Sequence, residues 1–437
     1  MKIKSMVVTL CLLAISIPFN VYAEDDDLVF LRALIYVKDK ASANKLAQTK
    51  AKEKNTRRVK EIKRPVTGIV YQYQVTTDLK NTYPLPDTQS MQYFSRGFDQ
   101  KSEKKVRKYK AALIIDFAYP LKQWREGLQI FYRRVAELAK SEQGFIYDSE
   151  TRELYTEAAW QKYRLESWHK DIPIAKLHII IHAYQTNINV RAITLGMAKF
   201  GLPDIVVEEY ARSINQGIGN LINVVAQSMV EGHFPEGDVF RIDLNQLADT
   251  PYKKELLKSL KKNATGKLAI TVGDARRDEG DPDNYLLGLI FVKDKSKPLH
   301  ETQEAMLTEL FGSEDSITYI KHNDQILQAS ARAKAKLPAL RQDFNNKLQP
   351  GEYIMLKAPF ATHDGSNEWM WVEVFEWQGE TIKGILKNEP FNVPGLKAGA
   401  EVTINQGDVF DYIRYYPDGR AEGNETGELI RKLSDSH

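Results

Sequence analysis

The chain has 437 residues, 43% of them apolar and 27% charged, which is length for roughly two to four domains with a sizeable core and excludes a disordered chain. Formal net charge is +3, and removing Lys2 and Lys4 of an expected leader leaves +1, so the chain as a whole has no bulk attraction for nucleic acid. The one cysteine, Cys11, falls in that leader, which excludes disulfides, thiol catalysis and cysteine metal sites from the mature chain.

Lys2 and Lys4 precede an apolar run from Met6 to Ile17, and Val21-Tyr22-Ala23 offers a small-x-small cleavage site before Glu24. This is the layout of a signal peptide over residues 1–23, cleaved after Ala23. The run is too short to span a bilayer, and the longest later one, Tyr285 to Val292, is shorter still. Val8-Thr9-Leu10 lacks the small residue that a lipid-modified Cys11 requires. The expected address is periplasmic or secreted, and an exported chain without cysteine suits a bacterial envelope. The sequons at Asn263 and Asn424 are then chance matches.

An α+β unit is expected over 24–108. It opens with an acidic run at Asp25–Asp27 and a strand at Val29–Val37, followed by a helix from about Ala41 to Lys63. That helix carries Lys45, Lys50, Lys52, Lys54, Arg57, Arg58, Lys60 and Lys63 against Glu53 and Glu61. Few large apolar residues accompany them, so a solvated face outweighs a site for an anionic partner. A strand follows at Val66–Thr77, Asp87 is placed to cap a short helix, and the basic run Gln100–Lys110 marks a linker or exposed helix at a boundary.

The central α+β unit is expected over 109–235. Ala111–Phe117 reads as a buried strand, and Leu121, Trp124, Leu128, Phe131, Val135 and Leu138 form a helical stripe that packs on a sheet. A hairpin at Phe145–Tyr155, a helix near Ala158–Ser167 and a strand at Lys176–Tyr184 follow. Arg191 to Asp204 resembles a pattern found in other bacterial domains of unknown function, with no activity attached, and a long helix from Val206 to Val230 closes the unit. The third unit, 236–330, alternates strands at Val239–Leu244, Lys267–Val272 and Tyr285–Val292 with helices at Pro251–Lys262 and Leu299–Phe311. The octapeptides at 33–40 and 288–295 nearly repeat, which raises a duplicated strand-helix unit beside plain coincidence. Residues 331–350 read as a helical connector.

From Gly351 the alternation is that of short strands. Met370, Val372 and Val374 fall on one face, with Trp369, Trp371, Glu373, Phe375 and Trp377 on the other. Gln378-Gly379 closes a hairpin, and turn residues then break the chain repeatedly. A small antiparallel β domain over 351–437, a partly closed barrel, accounts for this. The ordered set EWMWVEV, Gly384-x-Leu386-x-Asn388-x-Pro390, Leu396-x-x-Gly399-x-x-Val402, Asp411 and Gly423-Asn424-x-Thr426 resembles the YegJ-like family of bacterial domains of unknown function (DUF2314). Tyr412 stands where that pattern has Trp. The resemblance implies a small β-rich domain, often exported, without an established role.

Candidate chemistry is sparse. His178 and His182 have the spacing of a metal pair, but the run between them is β-branched and neither a third ligand nor a following Glu is in place. Gly217-Ile-Gly219 lacks the third glycine of a dinucleotide turn. Ser42/Lys45, Ser102/Lys105 and Ser259/Lys262 match Ser-x-x-Lys spacing without companion motifs. The acidic turn at Asp278–Asn284 has oxygens for calcium but not the ordered EF-hand spacing. The aromatic residues Trp369, Trp371, Phe375 and Trp377, with Asn388, form the candidate ligand surface, unless they fill a barrel or pack on the preceding domain. The expectation is therefore an exported, non-enzymatic binding or interaction module of the bacterial envelope, with a protein or glycan partner, no nucleic acid and no cofactor. The alternative is a hydrolase acting on an envelope polymer.

Overall fold

The computed structural model describes residues 28–53, 55–186, 189–211, 214–291, 299–312, 324–362, 367–388, 390, 393 and 395–434. The expected leader with Cys11, the acidic run at 25–27, residues 292–295 of the second octapeptide and Pro394 lie outside them.

The protein is α+β. Its first sheet holds β1 (Leu28–Val37), β2 (Thr56–Arg58), β3 (Ile69–Thr76), β4 (Ser95–Arg96), β5 (Ala111–Pro120), β6 (Phe145–Asp148) and β7 (Glu153–Tyr155), in the order β2-β3-β5-β1-β6-β7-β4. With α1 (Lys40–Gln48) and α5 (Trp124–Ser141), the path β1-α1-β3-β5-α5-β6 is a split βαβ arrangement with antiparallel neighbours. Every residue of β5 is buried. Leu113, Ile115, Phe117 and Tyr119 enter the main core, while Ala112 and Ile114 enter a smaller one on the opposite face. That second face is covered by the short helices α2 (Leu79–Thr82), α3 (Thr88–Met91) and α4 (Gln100–Val106), whose caps include Asp87 and Asp99.

Two expectations fail here. The helix expected over 41–63 stops at Gln48: Thr49 turns extended, the Ala51 N–H donates to the Tyr71 hydroxyl, and Thr56–Arg58 pair parallel to β3. The segment lacks an apolar stripe to bury, so edge pairing wins over helix. The boundary expected at 108/109 runs through the sheet, since β5 lies between β3 and β1.

After α6 (Glu157–Trp160) and a minor hairpin, β8 (Trp168–His169) and β9 (Ile172–Pro173), comes the second sheet. It comprises β10 (Ile180–Thr186), β11 (Asn189–Leu195), β12 (Asp204–Tyr210), β13 (Val239–Asp243), β14 (Lys267–Asp274) and β15 (Leu286–Ile290), ordered β10-β11-β12-β15-β14-β13. Two antiparallel meanders meet where β12 runs parallel to β15, so the boundary expected at 235/236 also falls inside one sheet. The long helix expected from Val206 is first a strand, because Ile205, Val206 and Val207 are β-branched and buried; helix α7 (Asn215–Val230) begins later. The strand expected from Lys176 begins at Ile180, after a 3-10 turn at Ala175–Leu177. Helices α8 (Pro251–Lys258) and α9 (Leu299–Phe311) complete this layer. One core, from Val29 through Leu310 and including Ile385, joins both sheets with α5, α7 and α9.

The C-terminal sheet holds β16 (Tyr353–Ala361), β17 (Asn367–Gln378), β18 (Thr381–Leu386), β19 (Glu401–Asn405), β20 (Asp411–Tyr415) and β21 (Ala421–Gly423), ordered β19-β18-β17-β16-β20-β21. Strands β19 and β21 remain as edges, so the barrel does not close. Helix α10 (Asp324–Asn345) buries Ala333, Leu337 and Leu340 against Ile354, Leu356, Met370 and Val372. The stretch read as a connector thus supplies one wall of this core. Helix α11 (Glu425–Ser434) ends the described chain.

Candidate functional site

The aromatic strip of β17 is split by one extra residue. Val374 pairs with Gly384 and Glu376 with Lys383, which leaves Phe375 as a β-bulge. Beyond the bulge the alternation inverts, so Trp377 joins Met370, Val372 and Val374 in the C-terminal core, its ring beside Phe344 and its indole N–H donating to Gln406 Oε1 at 3.0 Å. Phe375 packs on the main core, as does Ile385 of β18. Lys387 pairs with Glu304 of α9, a second tie between the C-terminal sheet and the body. Asn388 Oδ1 accepts the Trp371 N–H at 2.6 Å and pins the chain after β18. Of the expected surface, only Trp369 and Trp371 stay together and half-buried: Trp369 lies 4.6 Å from the Phe410 ring and Lys357 sits over Trp371.

The two histidines are not brought to one site. His178 caps the 3-10 turn and is fully buried, with Nε2 2.8 Å from Ser167 Oγ and Nδ1 3.0 Å from the Tyr132 hydroxyl. Burial, with Arg164 and Lys199 nearby, holds its pKa far below the usual value, so it stays neutral. Ser167 and His178 have the spacing of nucleophile and base, but both are enclosed and Ser167 also donates to the Tyr163 carbonyl. His182 stands on β10, its ring on Phe94. Among the described residues, no three His, Cys, Asp or Glu side chains converge as metal ligands.

Sequence reasoning missed the densest polar cluster. Asp148 at the end of β6 receives Lys199 Nζ at 2.6 Å and Arg164 at 3.0 Å, all three enclosed. Arg164 also donates to the Tyr155 hydroxyl and to the Leu177 carbonyl, and Lys199 to the His178 carbonyl. Burial alone would raise Asp148, but Lys199 and Arg164 outweigh it and hold it below the carboxylate range. Burial, reinforced by Arg164, pushes Lys199 down to about 8. Burial and the Asp148 charge push Glu150 up to about 7, and burial raises Asp204 to about 6 although Asn284 and Thr194 donate to it. The available signal was the pattern from Arg191 to Asp204, which contributes Lys199, Thr194 and Asp204.

The other weighed motifs find ordinary partners. Asp281 and Glu208 take up the buried Arg191, and Asp278 pairs with Arg276, which sets the acidic turn against guanidinium groups. Gly217 lies in α7, where a Cβ would come 2.9 Å from Leu307, so it serves helix packing. Lys45 pairs with Glu142, and Lys105 donates to Gln143.

Open space lies on the C-terminal domain. One cleft of about 270 Å³ runs between α10, β20 and the start of α11, lined by Arg332, Lys336, Asp411 and Glu425. At its floor the Asp411 carboxylate accepts both the N–H and the hydroxyl of Thr426, and burial raises its pKa. A more open cleft of about 450 Å³ lies between the end of β16 and β19, lined by Phe360, Thr381, Thr403, Asn405 and Asp408.

A helix-backed antiparallel sheet thus carries two surface clefts open to a ligand. Residues 323–436, which hold it, match the bacterial family described as an uncharacterised protein conserved in bacteria (DUF2314). The matched stretch takes in α10 as well as the sheet. No curated protein and no solved structure matches the chain. No helix among the described residues is long and apolar enough to cross a membrane.

Proposed function

We propose that this is an exported binding or interaction protein of the bacterial envelope, acting without catalysis, whose C-terminal domain takes an envelope glycan in the cleft between β16 and β19. The observation that carries this reading is the lining of that cleft: one aromatic ring, Phe360, stands beside the exposed hydroxyl, amide and carboxylate groups of Thr381, Thr403, Asn405 and Asp408. An aromatic face with a few convergent polar groups suits a polyhydroxylated ligand. The groups that chemistry would recruit, Ser167, His178, Lys199 and Asp148, are enclosed and mutually hydrogen-bonded.

The test is co-sedimentation of the purified protein with envelope polysaccharide. The unmodified protein is expected to pellet, and Asn405→Ala/Asp408→Ala to remain in solution with an unchanged circular dichroism spectrum and a somewhat lower melting temperature, because Asn405 Oδ1 accepts the Gly407 N–H. Retention through Trp369→Ala/Trp371→Ala alone would move the site to the half-buried tryptophans. Release of soluble fragments from the polymer would favour the hydrolase alternative. Capture of a protein instead of glycan would keep the binding reading and change its ligand class.

A further inference from the structure

We propose that the edge of the first sheet, residues 50–53 and 55–64, is an electrostatic contact for an anionic phospholipid surface, independent of the C-terminal clefts. These residues carry Lys50, Lys52, Arg57, Arg58, Lys60, Lys63 and Arg64, all exposed, against Glu53 and Glu61. Lys52 pairs with Glu137 and Lys63 with Glu61, and Arg58 lies over the Tyr73 ring. Among the described residues, Lys50, Arg57, Lys60 and Arg64 face no carboxylate. Such local excess stands out in a chain whose 61 basic residues nearly balance 58 acidic ones.

The backbone that carries these cations is held in place. The Val59 N–H donates to the Tyr71 carbonyl, the Ile62 N–H to Gln72 Oε1, and Arg134 to the Thr49 carbonyl. The segment is therefore a pinned ridge along the outer side of β3. Its geometry favours a surface over a threaded polymer. Successive strand residues such as Arg57 and Arg58 point to opposite faces of the sheet, so a strand-like polymer lying on one face would meet only part of the charge. A surface approached edge-on meets both sides. The ridge offers only the half-buried Val59 and Ile62 for insertion, so adhesion is electrostatic and screened by salt.

A competing role is plain edge protection, since charges on a sheet edge block pairing with other chains. Flotation of the purified protein with phosphatidylcholine vesicles, alone or mixed with phosphatidylglycerol, separates the two. Binding is expected only to the mixed vesicles, falling roughly fivefold for each cation removed in Lys50→Gln/Arg57→Gln/Lys60→Gln/Arg64→Gln. The charge-matched control Lys101→Gln/Lys104→Gln/Lys108→Gln/Lys110→Gln, on and after α4, is expected to keep most of the binding. Equal loss in both variants, or self-association of the first with vesicle binding intact, overturns the proposal. Tighter capture by soluble polyphosphate than by vesicles also overturns it, in favour of a polymer. Salt titration of the unmodified protein is a second check that needs no variant: binding that resists salt overturns the contact.

Discussion

Lys199 Nζ lies 2.6 Å from Asp148 Oδ2 in a place no solvent reaches, and the pair joins β6 of the first sheet to the turn that follows β11 in the second. Asp148 also holds Arg164, so one carboxylate balances two enclosed cations. Asp148→Asn removes that balance and is expected to cost about 3–5 kcal/mol. Lys199→Met leaves Asp148 with Arg164 and is expected to cost less. Urea denaturation of both variants checks the ranking; a milder effect for Asp148→Asn would mean the cations find other partners.

Enclosed groups pull stability in opposite directions with pH: Glu150 and Asp204 give a falling contribution below about pH 7, while His178, held neutral by burial, gives a rising one up to its ordinary value of 6.5. Glu150 rises from 4.5 to about 7 and Asp204 from 3.8 to about 6 on folding. Between those limits the folded chain keeps protons that the unfolded chain has lost, so this contribution is full at low pH and declines as pH climbs through 6 and 7. Lys199 works in the opposite sense: lowered from 10.5 to about 8, it makes stability recover between those values as pH rises. Thermal melts across this range test the shape, and Glu150→Gln should lessen the falling contribution. A profile unchanged in that variant would remove Glu150 from the account.

The bulge at Phe375 decides which way Trp377 points. Trp377→Ala is expected to cost the C-terminal domain about 3–5 kcal/mol. Deleting Phe375 removes the extra residue yet leaves Trp377 two places after Val374, on the same core face, so the expected loss is smaller than that of Trp377→Ala and comes from the contact Phe375 makes with the main core. Trp371→Ala, at a half-buried site, should cost less. Denaturation followed by circular dichroism gives the order.

Gly384 sits opposite that bulge, where an added Cβ would approach the Glu373 carbonyl oxygen to 2.3 Å. Backbone cannot yield as a side chain does, so Gly384→Ala is expected to destabilise the domain by about 1–3 kcal/mol. A control, Gly379→Ala, has open space and only a positive φ of 56° to contend with, and should cost about 1 kcal/mol.

Much of the fold is legible in the sequence because its signals are local. The stripe through Leu128, Phe131, Val135 and Leu138 became α5, and the alternation after Gly351 became a sheet that stops short of closure. What was not legible depends on neighbours. Lys-rich residues 50–63 found an edge strand to pair with, β-branched Ile205–Val207 were drawn into a buried strand, and one bulged residue reversed Trp377. The enclosed cluster draws Asp148, Arg164 and Lys199 from separate elements, so no spacing rule could assemble it. His178 and His182 looked paired because four residues separate them, yet a turn ends between them.

Strand β1 is the first described segment of the chain, yet it lies between β5 and β6. Its partners, Ala111–Pro120 and Phe145–Asp148, follow only after long stretches of chain that include α1, β3 and α5, and the entropy of closing them must be met before either ladder forms. A growing chain therefore holds this apolar strand unpaired until well over a hundred residues have been made. Through that interval, with Leu34, Ile35 and Val37 uncovered, the protein is most exposed to wrong partners and most dependent on a chaperone.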